Sequence, residues 1–383
     1  MNELRLENFD PALFLRDYWQ KKPLLISNAF PNFKDPLTAD ELAGLALEAE
    51  IESRLISNLG GSNNWTLRHG PFTEDDFSIP EHNWTLLVNA VDHYLPAAKK
   101  LLSAFRFIPD WRMDDLMASY ASDQGSVGPH YDNYDVFLIQ GVGQRRWLTG
   151  QYCQDNEALL DHPDLKVLQQ FHKKQEYLLK AGDILYLPPR IAHWGIAEGQ
   201  AMTYSVGFRS PSYSEMISHW CDHLLNSELG QQHFKDGEIE GNQHPAEITP
   251  AALAQLKKVM RQLLDKPEQM ESWFATLVTQ SKYEDEPSFE KRYTMENIAA
   301  FINQHGELEK LPQTRLAFIR HNNHIALFAN GQAINSELAC PEFIEYLCSE
   351  TKLDSVALAE FFTNNNNLNV LIELMNIGCF DVA

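Results

Sequence analysis

The apolar positions of this chain change their spacing twice, and the changes divide it into regions. Asp10-Pro11 supplies a cap and a first-turn proline ahead of Leu13, Phe14, Tyr18 and Trp19. A helix is predicted to start there and to end at Lys21-Lys22-Pro23. Leu24-Leu25-Ile26 reads as a short buried strand, and the remainder of the first hundred residues is mixed. From about 115 to 210 the texture is that of strands: Leu116–Ala121, Asp135–Gln140, Gln144–Leu148, Ile184–Leu187 and Met202–Phe208, most of them bounded by turn formers. After Pro211, Tyr213, Met216, Ile217, Trp220, Cys221, Leu224 and Leu225 recur at threes and fours, the stripe of an amphipathic helix. A polar stretch (Gly230 to His244) precedes a second helical run from Leu253 to Leu264, which breaks near Pro267 and resumes through Val278.

Tyr283-Glu284-Asp285-Glu286-Pro287 reads as a linker. Beyond it Thr294 is predicted to cap a helix reaching Phe301, and Arg315–Arg320 with Ile325–Phe328 to form a hairpin around His321-Asn322-Asn323-His324. Two or three further helices follow, interrupted by the Asn364–Asn367 tract. The fold class is therefore α+β. Residues 1–210 are expected to hold a β-barrel with flanking helices, 211–282 a helical block, and 288–383 a winged-helix-like module. The helical block has too few elements for a large core of its own and is expected to pack on the barrel or on a second subunit.

Composition narrows the functions. The chain has 53 acidic and 31 basic residues, a net charge of −22, which is the wrong sign for a general nucleic-acid binder. The last module keeps that sign, so direct DNA reading is not expected of it. Such a surface suits solubility and can attract basic proteins. The five cysteines are scattered and odd in number, poor material for a disulfide framework. No apolar run approaches the roughly 20 residues of a membrane span, and the first residues lack the pattern of a secretory signal. A cytoplasmic protein is expected, without membrane contact.

Candidate chemistry is concentrated in the strand-rich region. In Gly128-Pro129-His130-Tyr131-Asp132, residues i and i+2 on a strand project from one face, so His130 and Asp132 can offer an imidazole and a carboxylate to one metal ion. Gly182, Pro188 and His193 match the second cupin motif, G-x5-P-x-G-x2-H, with Arg190 in place of its second glycine. The glycine opens a turn, and the proline ends strand pairing so that His193 can enter the barrel. Most metal cupins carry a histidine at i+2 and a later glutamate. Here i+2 is Asp132, and Ser126 to Thr149 contains no glutamate. Two histidines and one carboxylate leave positions open on the ion, the arrangement of non-haem iron(II) oxygenases.

Such an oxygenase using 2-oxoglutarate needs an anchor for the acid's distal carboxylate. Arg145 has the planar fork that matches a carboxylate, and strand alternation puts it inside with Arg146 outside. Ser119 interrupts an apolar run, where its hydroxyl bonds either the same carboxylate or the backbone. Thr203 and Ser205 are weaker candidates for the surroundings of the site.

These residues, in this order, resemble the Jumonji-C oxygenases, and within them the bacterial ribosomal oxygenases. The supporting segments include Tyr18-Trp19-Gln20-Lys21-Lys22-Pro23, Trp65-Thr66-Leu67-Arg68-His69-Gly70-Pro71-Phe72 and Tyr204-Ser205-Val206-Gly207-Phe208-Arg209. The resemblance extends over essentially the whole chain. It implies a double-stranded β-helix of the cupin or jelly-roll type over 1–210, homodimerisation through 211–282, and a C-terminal winged-helix-like domain that does not read DNA. It further implies iron(II) on His130, Asp132 and His193, with 2-oxoglutarate on Ser119 and Arg145 and dioxygen as second co-substrate. The activity implied is hydroxylation at C3 of an arginine in large-subunit ribosomal protein number sixteen, a basic partner suited to an acidic enzyme. Histidyl hydroxylation, lysine demethylation and a non-oxygenase metal cupin are the alternatives. Arg190, and Ala197 where cupins end the motif in asparagine, depart from the general pattern without touching a ligand.

Overall fold

A computed structural model of the chain describes residues 4–382 apart from 60–63, 79–81, 229, 237–243, 245, 266, 283–292, 304–305 and 323. It divides into two compact units, Met1–Ser210 and Pro211–Ala383.

The first unit begins with α1 (Pro11–Asp17), whose N-cap Asp10 accepts from the N–H groups of Ala12 and Leu13, as its sequence predicts. Then come β1 (Leu24–Ile26), α2 (Ala39–Leu45), β2 (Ser53–Ser57), β3 (Thr66–His69), β4 (Trp84–Val88), α3 (Val91–Tyr94) and α4 (Pro96–Leu102). The strand-rich region supplies β5 (Met113–Ala121), β6 (Val136–Gln140), β7 (Gln144–Tyr152), β8 (Gln175–Lys180), β9 (Ile184–Leu187), β10 (Ile191–Glu198) and β11 (Ala201–Phe208). They form an eight-stranded antiparallel sheet, β1-β9-β6-β11-β5-β4-β2-β3, and a three-stranded one, β10-β7-β8.

Both faces of the large sheet are covered, which is why its central strands read as unbroken apolar runs. In β6, Phe137 and Ile139 join a core with Phe14, Leu42 and Leu101 of the helices, while Val136 and Leu138 turn the other way. β9 divides likewise, Ile184 and Tyr186 to the helices, Leu185 and Leu187 inward. The inward residues meet Trp147 and Leu179 of the small sheet, so the two sheets share a core.

The second unit contains α5 (Tyr213–Leu225), α6 (Pro250–Leu264), α7 (Pro267–Thr279), α8 (Met295–Asn303), β12 (Leu308–Lys310), β13 (Leu316–Arg320), β14 (Ile325–Ala329), β15 (Gln332–Ile334), α9 (Pro341–Ser349), β16 (Lys352–Leu353), α10 (Ser355–Phe361), α11 (Asn365–Asn376) and β17 (Phe380–Val382). The expected hairpin is β13–β14, and α7 packs on it, with Thr279 Oγ1 accepting from Gly331 N–H. The Asn364–Asn367 tract is not simply a break: Asn364 caps α11 through its side chain, and the next three asparagines form the first turn. The expected linker at 283–287 lies outside the described residues. No described helix is long and apolar enough to cross a membrane.

Candidate metal centre

His130 and His193 face each other in a single antiparallel bridge, the N–H of each donating to the carbonyl of the other at 3.0 and 2.8 Å. Their rings lie 4.2 Å apart. Asp132 follows in a loop, so the expectation of a regular strand through His130 and Asp132 is corrected. Pro129 has no N–H for a ladder. Gly128 turns the chain at φ +84°, and the Asp132 carbonyl accepts from Arg190 N–H at 2.7 Å. The side chains converge nonetheless. One ligand atom from each of His130, Asp132 and His193 lies within 4.8 Å of the others, and His193 Nε2 is 3.6 Å from Asp132 Oδ2.

Main-chain carbonyls set the imidazole tautomers. Nδ1 of His130 is 2.9 Å from Gly128 O, and Nδ1 of His193 is 2.9 Å from Ile191 O. A carbonyl only accepts, so each Nδ1 carries the proton and each Nε2 presents a lone pair. His193 is 3% exposed; burial first, then the neighbouring His130, push its pKa down to about 4. It is therefore neutral at pH 7, the form that binds metal. Two Nε2 lone pairs and a carboxylate suit iron(II) with positions left for other ligands.

Arg145 points inward and is buried without an acidic neighbour among the described residues. Its Nε and Nη2 have no hydrogen-bond partner among the described residues, and burial draws its pKa down to about 10. An isolated buried cation is costly, and this one fits an anionic ligand. Arg146 points outward, as alternation predicts, and pairs with Glu198 and Glu176. Arg145 pairs in register with Ala197, on the same strand as His193. Ser119 is buried in β5; its Oγ reaches Thr203 O at 3.4 Å, long for a hydrogen bond. Thr203 and Ser205 are buried too.

Sequence reasoning missed three neighbours of this centre. The Tyr134 hydroxyl bonds Asp132, which pushes its pKa well above the usual phenol range; the desolvated hydroxyl end and Asp115 add to this and Arg54 opposes it, although the ring is partly exposed. Tyr134 stands two residues after Asp132, a spacing that was available as a signal. Asp115 is buried at the start of β5. The Trp147 ring lies 6.0 Å from His193 and 5.7 Å from the Arg145 guanidinium carbon.

Comparison with known proteins adds to this geometry. Residues 100–216 match the JmjC domain, and residues 261–380 match the ROXA-like winged helix. The chain is 38% identical to the Ribosomal protein uL16 3-hydroxylase of Escherichia coli, over 95% of each chain. It is 29% identical to the Probable ribosomal oxygenase of Haemophilus influenzae, over 96% of this chain and 93% of that one. The X-ray structure of E. coli YcfD superposes with a TM-score of 0.90 at 37% identity, covering 99% of this chain and 100% of that chain. A structure of YcfD from Escherichia coli, described as a ribosomal oxygenase in complex with cobalt and 2-oxoglutarate, gives a TM-score of 0.87 at 36% identity, covering 99% of each.

Proposed function

Given that the chain belongs to the JmjC-domain ribosomal oxygenases, we propose that it hydroxylates C3 of an arginine side chain in ribosomal protein uL16, using iron(II), 2-oxoglutarate and dioxygen. The observation that carries this reading is the convergence of His130, Asp132 and His193 in the same sheet-lined core as the unpaired, buried Arg145. In it, His130, Asp132 and His193 hold the iron, while Arg145 and Ser119 hold the distal carboxylate of 2-oxoglutarate. When bound, iron and 2-oxoglutarate supply the oxidation, in which one oxygen atom of O2 enters succinate and the other becomes the hydroxyl on an unactivated carbon, with release of carbon dioxide.

The chain's own residues bind, orient and exclude water. Each Nδ1–H donates to a main-chain carbonyl, which keeps the Nε2 lone pairs aimed inward. No side chain is required as a general base. The net charge of −22 favours encounter with a basic ribosomal protein.

Homodimerisation through α5 and α6 belongs to the same proposal. Among the described residues α6 buries none, and it exposes Leu253, Leu256, Met260 and Leu264. A cytoplasmic location follows from a ribosomal substrate. The test combines succinate formation with intact-protein mass spectrometry of ribosomal proteins incubated with enzyme, iron and 2-oxoglutarate. uL16 should gain the mass of one oxygen atom, and Asp132→Ala should abolish both signals. Turnover no greater than that of the Asp132→Ala control would sink the proposal.

A further inference from the structure

Thr203 carries a hydroxyl that its surroundings leave unsatisfied. The residue is 1% exposed in β11, and its Oγ1 has no hydrogen-bond partner among the described residues. Its register partner on β5 is Ser119. Directly paired residues on neighbouring antiparallel strands share a face, so the two hydroxyls stand side by side. That face is the one turned to the small sheet. Tyr204 and Val206 of β11, and Leu116 and Ala118 of β5, pack on the helix side. Two residues along each strand from the hydroxyls, Ala201 and Ala121 touch Ala197 of β10. Ala197 is in turn the register partner of Arg145.

Thr203 Oγ1 therefore faces the small sheet, which carries the orphaned guanidinium of Arg145. The other register partner of Thr203, Gln140, commits its amide nitrogen to main-chain carbonyls, including Met202 O at 2.9 Å, while its buried Oε1 makes no hydrogen bond to Thr203 or to any other described residue. A buried hydroxyl without a partner lowers stability, so its persistence on the face turned to the strand of a cationic anchor calls for an anionic acceptor.

We propose that Thr203 is a further binding residue, donating its hydroxyl to the distal carboxylate of 2-oxoglutarate together with Ser119 and Arg145. This rests on the reading of the barrel as a 2-oxoglutarate site. It carries a physical signature opposite to that of a structural hydroxyl. Removing an unsatisfied group relieves the ligand-free protein and harms only the complex.

Calorimetric titration of the full-length manganese-loaded protein, kept free of dioxygen, tests it without turnover. Thr203→Val should weaken 2-oxoglutarate binding by about tenfold, the effect of one hydrogen bond to a charged group. Thr203→Ser should restore it. The affinity for 2-oxobutyrate, which lacks the distal carboxylate, should be the same in Thr203→Val and wild type, and the Tm of ligand-free Thr203→Val should equal or exceed that of wild type. Unchanged 2-oxoglutarate affinity would overturn the inference, as would a lower Tm with equal losses for both acids, the result expected if the hydroxyl serves Gln140 instead. Arg145→Met separates the two readings. If it weakens binding while Thr203→Val does not, Thr203 alone is misassigned; if neither does, the 2-oxoglutarate site itself is misplaced.

Discussion

At the scale of residues, the metal ligands were legible because ligation depends on residue type and spacing, both printed in the sequence. His130, Asp132 and His193 converge although the intended strand geometry does not hold. Tyr134 and Asp115 were not legible, since their part depends on which neighbours surround them after folding. The same holds for Asp92, a buried carboxyl whose Oδ1 accepts from Leu116 N–H at 2.8 Å. Burial, and secondarily Asp115, push its pKa up to about 7. An unfolded aspartate titrates near 3.9, so between about pH 4 and 7 the native state binds the extra proton. The slope of stability with pH follows the protons bound unfolded minus native, which is negative here. Asp92 therefore subtracts stability progressively as pH rises through that window. Asp92→Asn keeps the acceptor and removes the charge. Urea titrations from pH 5 to 8 should show a flatter decline for this variant and greater stability than wild type at pH 8.

At the scale of elements, the strands legible in the sequence of the first unit run from the edge strand β1 through β9, β6 and β11 to β5, together with the first half of β7, and in the second unit they are the hairpin β13–β14. β6 and β9 are buried on both faces, so they read as apolar runs bounded by turns. β8 buries only Leu179, and β3 buries none of its residues, which leaves no period to detect. β10 was hidden behind the two prolines, because its alternation begins only after the turn that carries Arg190 at φ +67°. The turn before β9 is legible in Gly182, which adopts φ +88°. A Cβ there would stand 2.3 Å from the carbonyl of Phe30. Gly182→Ala combines a left-handed alanine with a backbone clash and should cost about 2–4 kcal/mol. Thermal denaturation followed by circular dichroism measures that loss, and the loss should appear even at saturating metal.

At the scale of the whole molecule, the two units differ in how well they enclose their apolar residues. The first covers its large sheet on both faces. In the second, α5 exposes Tyr213, Ile217 and Leu225, and α6 exposes a row from Leu253 to Leu264. Exposed apolar rows of this kind mark contact surfaces. Light scattering after size exclusion should give about twice the 43.9 kDa chain mass for wild type, and the single-chain mass for Leu256→Glu combined with Met260→Glu. The bridge between His130 and His193 has a consequence for the enzyme's working life. It joins positions 63 residues apart by two main-chain hydrogen bonds, and carbonyls of the same chain hold both rings. Alignment of the ligands is thus a property of the polypeptide. Iron lost to a chelator or to oxidation should be replaceable without refolding. Chelator-treated protein should keep its circular dichroism spectrum and recover succinate formation within the time of mixing when iron(II) is returned. A metal site of this kind is repaired by its ion alone, since the fold that shapes it outlasts the loss.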